Sequence, residues 1–377
     1  MKKLLFSMLA VAVLLASCSD NDTPTPNNPV GEGVLSGDIS GDRTLSADTV
    51  YTLSGSVYVK AGATLTIEAG TRIEADASEE SNVAFLAVER GARINAVGTA
   101  DAPIIFTSNA ATKAAGQWGG IVICGNALTN KGANAQAEVT GLTYGGDNPA
   151  DNSGTLSHII VEYSGALINS ESEFNGITFY AVGSGTTVNN IHVYQVSDDG
   201  IEWFGGSVNG ENLTVIGSQD DAFDWAEGWN GTVTNLYSDQ SVATAFSSDS
   251  RGIEADSDQN NEDLEPVSNP TLSNVTLIGR NSGDVTAEAG IILRRGTLGS
   301  ITNLYLKDFV AGKGVEISGA NSTAHFTTNP IQGVAFDNVP DKGDATAFVE
   351  DEGASGAGNG AERPDWSLWA DAHLTGN

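Results

Sequence analysis

The stretch DDGIEWFGG at Asp198–Gly206 recurs 22 residues later as DDAFDWAEGW at Asp220–Trp229. Both copies begin with two aspartates and continue with apolar and acidic residues in alternation, which is the period of a β-strand. Repeats of about this length are typical of solenoids, in which each repeat forms one coil stacked on the last. The sequence therefore predicts that the second copy lies directly on the first.

Two shorter phrases recur in phase with this repeat. A polar-then-apolar step recurs at intervals of 32, 22, 23, 39 and 29 residues, at Ser157-His158-Ile159, Asn189-Asn190-Ile191, Glu211-Asn212-Leu213, Thr234-Asn235-Leu236, Ser273-Asn274-Val275 and Thr302-Asn303-Leu304. A small residue before a large apolar one follows each, at Gly176-Ile177, Gly200-Ile201, Ala222-Phe223, Gly252-Ile253, Gly290-Ile291 and Gly314-Val315. Two ladders in phase predict an all-β chain folded as a parallel β-helix, with loops inserted in the longer intervals. A β-sandwich of many short strands is the competing fold.

The N-terminal third follows the same plan. Short runs rich in β-branched residues are separated by glycines, at Val57–Val59, Thr64–Ile67, Arg72–Ile73, Phe85–Val88, Arg93–Ile94 and Ile104–Phe106. No segment after the N-terminal leader shows a sustained helical pattern, except for one turn near Pro364–Asp371. One solenoid domain over residues 32–377 is the predicted organisation.

One asparagine recurs in the first ladder, at positions 190, 212, 235, 274 and 303. Asparagine is favoured in turns and tolerates a left-handed backbone. We expect these side-chain amides to hydrogen-bond from coil to coil, a structural role that His158 shares by position.

The N-terminus has the pattern of a bacterial lipoprotein signal over residues 1–17. Two lysines precede an apolar run, and Leu15-Ala16-Ser17-Cys18 resembles a lipobox, which predicts lipidation of Cys18. An ordinary secretory signal is the alternative. Residues 18–31 contain three prolines and no apolar periodicity, which is typical of a flexible tether. Ser19-Asp20-Asn21-Asp22 resembles an acidic surface-export signal, so the predicted location is the outer membrane, exposed at the cell surface.

Charge and cysteine content exclude several kinds of protein. The 377 residues include 48 Asp plus Glu against 17 Lys plus Arg, a net charge of −31, which argues against binding nucleic acid or docking electrostatically on anionic lipid. With Cys18 lipidated, Cys124 is the one cysteine left, so an intrachain disulfide is excluded. Cys124 lies in an apolar run and is predicted to fill the core.

The two acidic copies place like charges on top of one another. Neighbouring strands lie about 4.8 Å apart, so Asp198 should stack on Asp220 and Asp199 on Asp221. Within the strands, Glu202 should stack on Asp224, with Glu254 and Asp256 in the next coil and Arg294 and Glu316 further along. Alternation directs these carboxylates outward and Trp203 and Trp225 inward.

Closely stacked carboxylates require a cation, a shared proton or an arginine. Oxygen ligands favour Ca²⁺, and the predicted calcium ligands are Asp199, Asp221, Glu202 and Asp224. The predicted ligand-binding face consists of Asp198, Asp199, Glu202, Asp220, Asp221, Asp224, Glu254 and Trp229, with Tyr237 beside it. Arg251 and Arg294 are the expected counterions.

Three interpretations of this face stay open. It could bind a carbohydrate, with or without calcium. It could catalyse glycoside hydrolysis or β-elimination from a uronate, in which case Asp199, Asp221, Arg251 and Arg294 are the candidate catalytic residues. It could also be a solvated acidic surface on a structural or adhesive protein.

The chain resembles a family of Bacteroidota outer-membrane lipoproteins with a right-handed parallel, pectin-lyase-like β-helix and no agreed activity. The resemblance covers nearly all of the chain after the leader and rests on residues 59–75, 116–127, 198–206, 220–229, 251–261, 268–279 and 365–369. The wider fold class includes polygalacturonases and polysaccharide lyases, but the chain lacks the Gly-His-Gly and Arg-Ile-Lys motifs and has no lysine between Lys131 and Lys307. These absences favour a binding protein over an enzyme.

The sequence thus predicts a surface lipoprotein, attached to the membrane through Cys18, that binds an extracellular ligand along its acidic face. A polysaccharide is the expected ligand, a surface protein the other partner considered, and Ca²⁺ the one cofactor suggested. A polysaccharide lyase or glycoside hydrolase and a structural or adhesive protein are the alternatives.

Overall fold

A computed structural model describes residues 33–78, 82–170, 172–281 and 289–375. The predicted signal, the lipidation site Cys18 and the tether 18–31 lie outside these residues.

Short strands recur throughout the described chain. The first half contains β1 (Val34–Ile39), β2 (Arg43–Leu45), β3 (Val50–Val59), β4 (Thr64–Ile67), β5 (Arg72–Ala75), β6 (Phe85–Val88), β7 (Arg93–Val97), β8 (Ile104–Ser108), β9 (Ile121–Cys124), β10 (Ala135–Gln136), β11 (Thr143–Tyr144) and β12 (Gly154–Glu162). The second half contains β13 (Ile177–Tyr180), β14 (Thr187–Tyr194), β15 (Ile201–Phe204), β16 (Gly210–Ile216), β17 (Phe223–Ala226), β18 (Thr232–Asp239), β19 (Arg251–Ala255), β20 (Thr271–Ile278), β21 (Ala289–Leu293), β22 (Ser300–Lys307), β23 (Lys313–Ile317), β24 (Ile331–Asp337), β25 (Asp341–Gly343) and β26 (Phe348–Glu350).

Apart from β10 and β11, which form an antiparallel pair of their own, these strands stack in parallel, coil upon coil, as the two ladders predict. β13 pairs with β15, β15 with β17 and β17 with β19, while β14, β16, β18, β20 and β22 form a second series. β12 pairs with β7 through its first half and with β8 through its second half, so a bend in each long strand divides every coil among three faces. The parallel β-helix is confirmed, and the β-sandwich is excluded.

The bend in each long strand is made by the predicted asparagine ladder. Asn190, Asn212, Asn235, Asn274 and Asn303 all have positive φ, between 51° and 66°, and His158 has the same conformation at 50°. From Asn212 onward, each amide donates to the asparagine of the preceding coil: Nδ2 of Asn235 lies 2.7 Å from Oδ1 of Asn212, and Nδ2 of Asn274 lies 2.9 Å from Oδ1 of Asn235. The predicted structural role of these residues is confirmed.

The core fills the space between the three faces. Ile201, Phe223 and Ile253 are fully buried in one row, and Trp203 and Trp225 are buried two residues further along, as strand alternation predicts. Cys124 is also buried, and burial raises the pKa of its thiol to about 12, so it fills space and has no reactive thiolate.

One helix was not predicted. Helix α1 (Ala320–Thr328) lies between β23 and β24 and buries only Ser322 and Phe326, four residues apart. Threonine and asparagine make up much of it, so neither propensity nor an apolar stripe marks it in the sequence. The predicted turn near the C-terminus is present as a 3-10 helix, Asp365–Ala370. Neither helix in the described part of the chain is long and apolar enough to cross a bilayer.

The C-terminal segment folds back over the outer surface of the parallel β-helix. The backbone N–H of Thr375 donates to Oε1 of Glu162 at 2.7 Å, and Glu162 is fully buried. Further along, His192 is buried beside Arg363, and burial followed by the arginine charge lowers the pKa of His192 to about 3. The segment therefore closes the face that carries the second halves of the long strands.

Replacing Asn235 by alanine tests the ladder. The variant loses two amide hydrogen bonds. It also places alanine at φ 66°, a conformation that an alanine side chain disfavours. We therefore expect a loss of about 2–4 kcal/mol in the free energy of unfolding. Asn235→Gly removes the same hydrogen bonds but tolerates positive φ, so its loss should be smaller. Urea denaturation measures both, and equal stabilities of the three proteins would contradict the role of the ladder.

Candidate functional site

Two columns of polar side chains run along the outer side of the face formed by β13, β15, β17 and β19. The first column stands in the turn before each strand or, in β19, at the first residue of the strand, and the second lies on the strand itself. The members of the first are Asn175, Asp199, Asp221 and Arg251, and those of the second are Thr178, Glu202, Asp224 and Glu254. The predicted stacking of Glu202 on Asp224 is therefore present, and it continues to Glu254.

The turn carboxylates link one coil to the next. The backbone N–H of Asp221 donates to Oδ1 of Asp199 at 2.9 Å, and the backbone N–H of Arg251 donates to Oδ1 of Asp221. These bonds fix the side-chain positions and engage one oxygen of each carboxylate.

The carboxylates are not solvated. Asp199 is 7% exposed, Glu202 8% and Asp221 3%, because the loops between strands fold over them. Among the open interpretations, a solvated acidic surface is therefore wrong for these residues. Their outward direction from the core is as predicted, but Asp199 and Glu202 line a pocket under the loops.

Oxygen atoms from these carboxylates come close enough together to hold a cation. Three overlapping groups have ligand atoms that all lie within 4.8 Å of one another. They are Asp198 with Asp199 and Asp220, Asp199 with Glu202 and Asp224, and Asp221 with Asp224 and Glu254. Asp199 and Asp224 belong to two groups each, so they are central to the arrangement.

Burial raises the pKa of Asp199, Glu202, Asp221 and Asp224 well above the usual range, and neighbouring carboxylates raise it further. Arg251 and Arg294 only partly oppose this rise at Asp221 and Asp224, and the charged forms of all four carboxylates lose hydration on burial. Bound protons or a bound cation would remove this cost.

Arginines neutralise only one end of the columns. Nη1 of Arg251 lies 2.9 Å from Oε2 of Glu254, and Nε of Arg294 lies 2.8 Å from Oδ1 of Asp256. Arg294 also contacts Glu254, and Arg295 contacts Asp256. The predicted counterion role of Arg251 and Arg294 is confirmed, while Arg295 was not foreseen.

At the end of the columns nearer Asn175, the described carboxylates form no ion pairs with arginines. No ion pair between described residues includes Asp198, Asp199, Glu202 or Asp224. Oδ1 of Asp224 is buried and has no hydrogen-bond partner within the described chain. A buried carboxylate oxygen without a donor is costly, and either a bound proton or a bound cation would remove that cost.

A cavity of about 370 Å³ opens onto this end. Its floor contains Asp198, Asp199, Glu202 and Asp220, and its walls contain Glu138, Leu167, Ser170, Ser172, Glu173 and Ser247. The walls come from three loops, between β10 and β11, between β12 and β13, and between β18 and β19.

The prediction that Trp229 flanks the binding face is wrong. Trp229 is fully buried, its ring stacks on Trp203 with centroids 4.5 Å apart, and its Nε1 donates to the carbonyl of Val208 at 3.2 Å. The chain turns inward at Gly228, where φ is 87°. Tyr237 is 2% exposed on another face, with its hydroxyl 3.4 Å from the carbonyl of Ala361.

Glu316 also lies apart from the columns. It pairs with Ile292, which in turn pairs with Glu254, so an apolar residue separates Glu316 from the carboxylates. The stack therefore ends at Glu254.

Residues 37–370 match the family described as the pectate-lyase-like β-helix domain. The chain belongs to this family. Comparison with curated proteins and with solved structures gave no match. Membership of the pectate-lyase-like β-helix domain family accounts for the stacked coils, and it is compatible with either polysaccharide binding or lyase chemistry.

Among the candidate catalytic residues of this β-helix domain, the arginines are poorly suited to act as bases. Burial alone would lower the pKa of Arg294, but its hydrogen bond to Asp256 and the charge of Glu254 raise it overall. Arg251 is engaged in an ion pair with Glu254, which stabilises its charged form. Asp199 and Asp221, in contrast, have the raised pKa that a general acid requires.

Sequence reasoning missed Asn175, Glu138 and Glu173. Asn175 precedes Gly176-Ile177 just as Asp199 precedes Gly200-Ile201, so the ladder carried the signal, and its amide contacts Glu202. Glu138 and Glu173 reach the pocket from loops, where no repeat fixes their position.

Asp199→Asn tests the cost of the buried charge. Asparagine keeps an oxygen to accept the N–H of Asp221 but carries no charge. Because burial raises the pKa of Asp199 in the folded state, the wild-type carboxyl loses stability as pH rises through that pKa. In EDTA, the stability of the variant relative to wild type should therefore increase from pH 4 upward, by up to about 1.4 kcal/mol per pH unit. Urea denaturation across this pH range measures the difference in stability between the variant and wild type. A difference that does not change with pH would show that burial does not raise the pKa of Asp199 in the folded protein.

Proposed function

We propose that this β-helix domain is a lipid-anchored cell-surface protein that binds an extracellular polysaccharide through its acidic pocket, with Ca²⁺ held by the carboxylates. The observation that carries the proposal is the buried, unpartnered Oδ1 of Asp224 beside Asp199 and Glu202, which form no ion pair with any described cationic side chain.

The group of Asp199, Glu202 and Asp224 is the best cation site. Hard carboxylate oxygens suit Ca²⁺, which accepts irregular coordination. The group of Asp221, Asp224 and Glu254 is less suitable, because Arg251 and Arg294 already neutralise Glu254. Asp221 then supports the site from the next coil and is not its central ligand.

The pocket above this group has the chemistry of a sugar-binding site. Ser170, Ser172 and Ser247 offer hydroxyl groups along its walls, and the carboxylate floor can accept hydrogen bonds from sugar hydroxyls. A bound cation would supply further coordination to a sugar oxygen. Polar groups converging in a concave site are typical of ligand binding.

Calcium titration of Asp199→Asn combined with Asp221→Asn tests the cation site. Both asparagines keep the hydrogen bonds between coils, so the fold should persist while two charges are lost. Wild type should bind Ca²⁺ with a saturable calorimetric heat and gain about 2.7 kcal/mol at a hundredfold excess over Kd, and the double variant should show neither.

Glu316→Gln is the matched control, because Glu316 lies on the same face but outside the carboxylate groups. It should bind Ca²⁺ as wild type does. Undiminished binding by the double variant, or no binding by wild type, would refute the calcium site.

Attachment to the outer membrane through Cys18 is part of the proposal and rests on the lipobox pattern alone. Cys18→Ser should move the protein from the detergent phase to the aqueous phase in detergent partitioning and should abolish surface labelling on intact cells. Retention of the variant in the detergent phase would contradict the anchor.

Hydrolysis is the second candidate, because paired carboxyls with raised pKa in one pocket are the arrangement that general acid–base catalysis uses. New reducing ends after incubation with a glycan would establish it, and intact glycan that stays bound would support the binding function.

A further inference from the structure

The acidic pocket continues into a second cavity of different character. This second cavity has a volume of about 420 Å³ and shares Leu167, Glu173 and Ser247 with the first. Alanine, glycine and Phe246 contribute much of its lining. The two cavities together form one groove with an acidic half and a largely apolar half.

The acidic half has no cationic side chain in its lining. Its ionisable residues are Glu138, Glu173, Asp198, Asp199, Glu202 and Asp220. One or two divalent cations would balance at most four of these six carboxyl groups. The nearest arginines are engaged elsewhere, Arg251 with Glu254 and Arg280 with Ser250 and Phe246. The groove therefore disfavours a ligand that carries a carboxylate on every sugar.

The apolar half presents an exposed aromatic ring. Phe246 is 40% exposed and lines the groove next to Ser247. Leu167, which is 61% exposed, lines the same cavity. Cζ of Arg280 lies 3.2 Å from the Phe246 ring centroid, and Nη2 of Arg280 donates to Oγ of Ser250 at 2.9 Å. The arginine covers part of the ring and holds it in place, which leaves the exposed part for contact with a ligand.

We propose that the groove binds a neutral glycan, with one sugar ring packed on Phe246 and the adjoining sugar over the cation held by Asp199, Glu202 and Asp224. This rests on the proposed function and specifies its substrate class, since the same carboxylates disfavour polyuronates. An aromatic ring gives a flat apolar surface for the CH face of a sugar, and the carboxylates accept hydrogen bonds from its hydroxyls.

Calorimetry with neutral hexasaccharides of β-linked glucose, xylose and mannose, and with hexagalacturonate, tests the proposal on the purified protein in calcium chloride and in EDTA. We expect saturable binding of at least one neutral hexasaccharide in calcium and binding of hexagalacturonate at least about tenfold weaker. Phe246→Ala should weaken neutral binding by about three- to tenfold while leaving Ca²⁺ binding unchanged. Val242→Ala, in the same loop but outside both cavities, is the control and should have no effect.

Each of the other outcomes contradicts one part of the proposal. Tighter binding of hexagalacturonate, or an unchanged affinity in Phe246→Ala, refutes the neutral-glycan groove. Calcium binding without binding of any oligosaccharide also refutes it and leaves the cation site standing. Equal neutral-glycan binding in EDTA refutes the role of calcium in the proposed function and leaves the groove standing.

Discussion

Register between coils is the constraint on which this structure depends. A parallel β-helix places equivalent side chains of successive coils about 4.8 Å apart, so each repeated residue interacts with copies of itself. For Asn235 this is favourable, because each amide donates to one neighbour and accepts from the next. For Asp199 and Asp221 the same geometry brings buried negative charges together. The fold turns one kind of repeat into a hydrogen-bonded ladder and the other into the carboxylate cluster proposed as a cation site.

The columns change character along the helix axis. The turn column begins with neutral Asn175, passes through Asp199 and Asp221 and ends at Arg251. Arginines thus neutralise the far end, where Glu254 lies, while the near end opens onto the cavity. The unbalanced charge is therefore confined to the part of the face that a ligand can reach. A uniformly charged or uniformly paired column would offer no such localised site.

Sequence periodicity predicted those features that the repeat itself determines. The strands, the asparagine turns, the stacking of Glu202 on Asp224 and the arginine counterions all follow from register. Features made by loops could not be predicted, because insertions such as the segment that carries Glu138 have no repeat to fix them. Burial of Trp229 escaped prediction for a related reason: strand alternation ends at Ala226, and the positive φ of Gly228 then directs the chain inward.

The most direct test of the account is an anomalous diffraction map from crystals grown with calcium or a lanthanide in its place. A peak coordinated by Asp199, Glu202 and the unpartnered Oδ1 of Asp224 is the predicted result. Crystals that bind the ion only at other positions, or that hold none while the carboxylates keep their places, would contradict the claim that register builds a cation site.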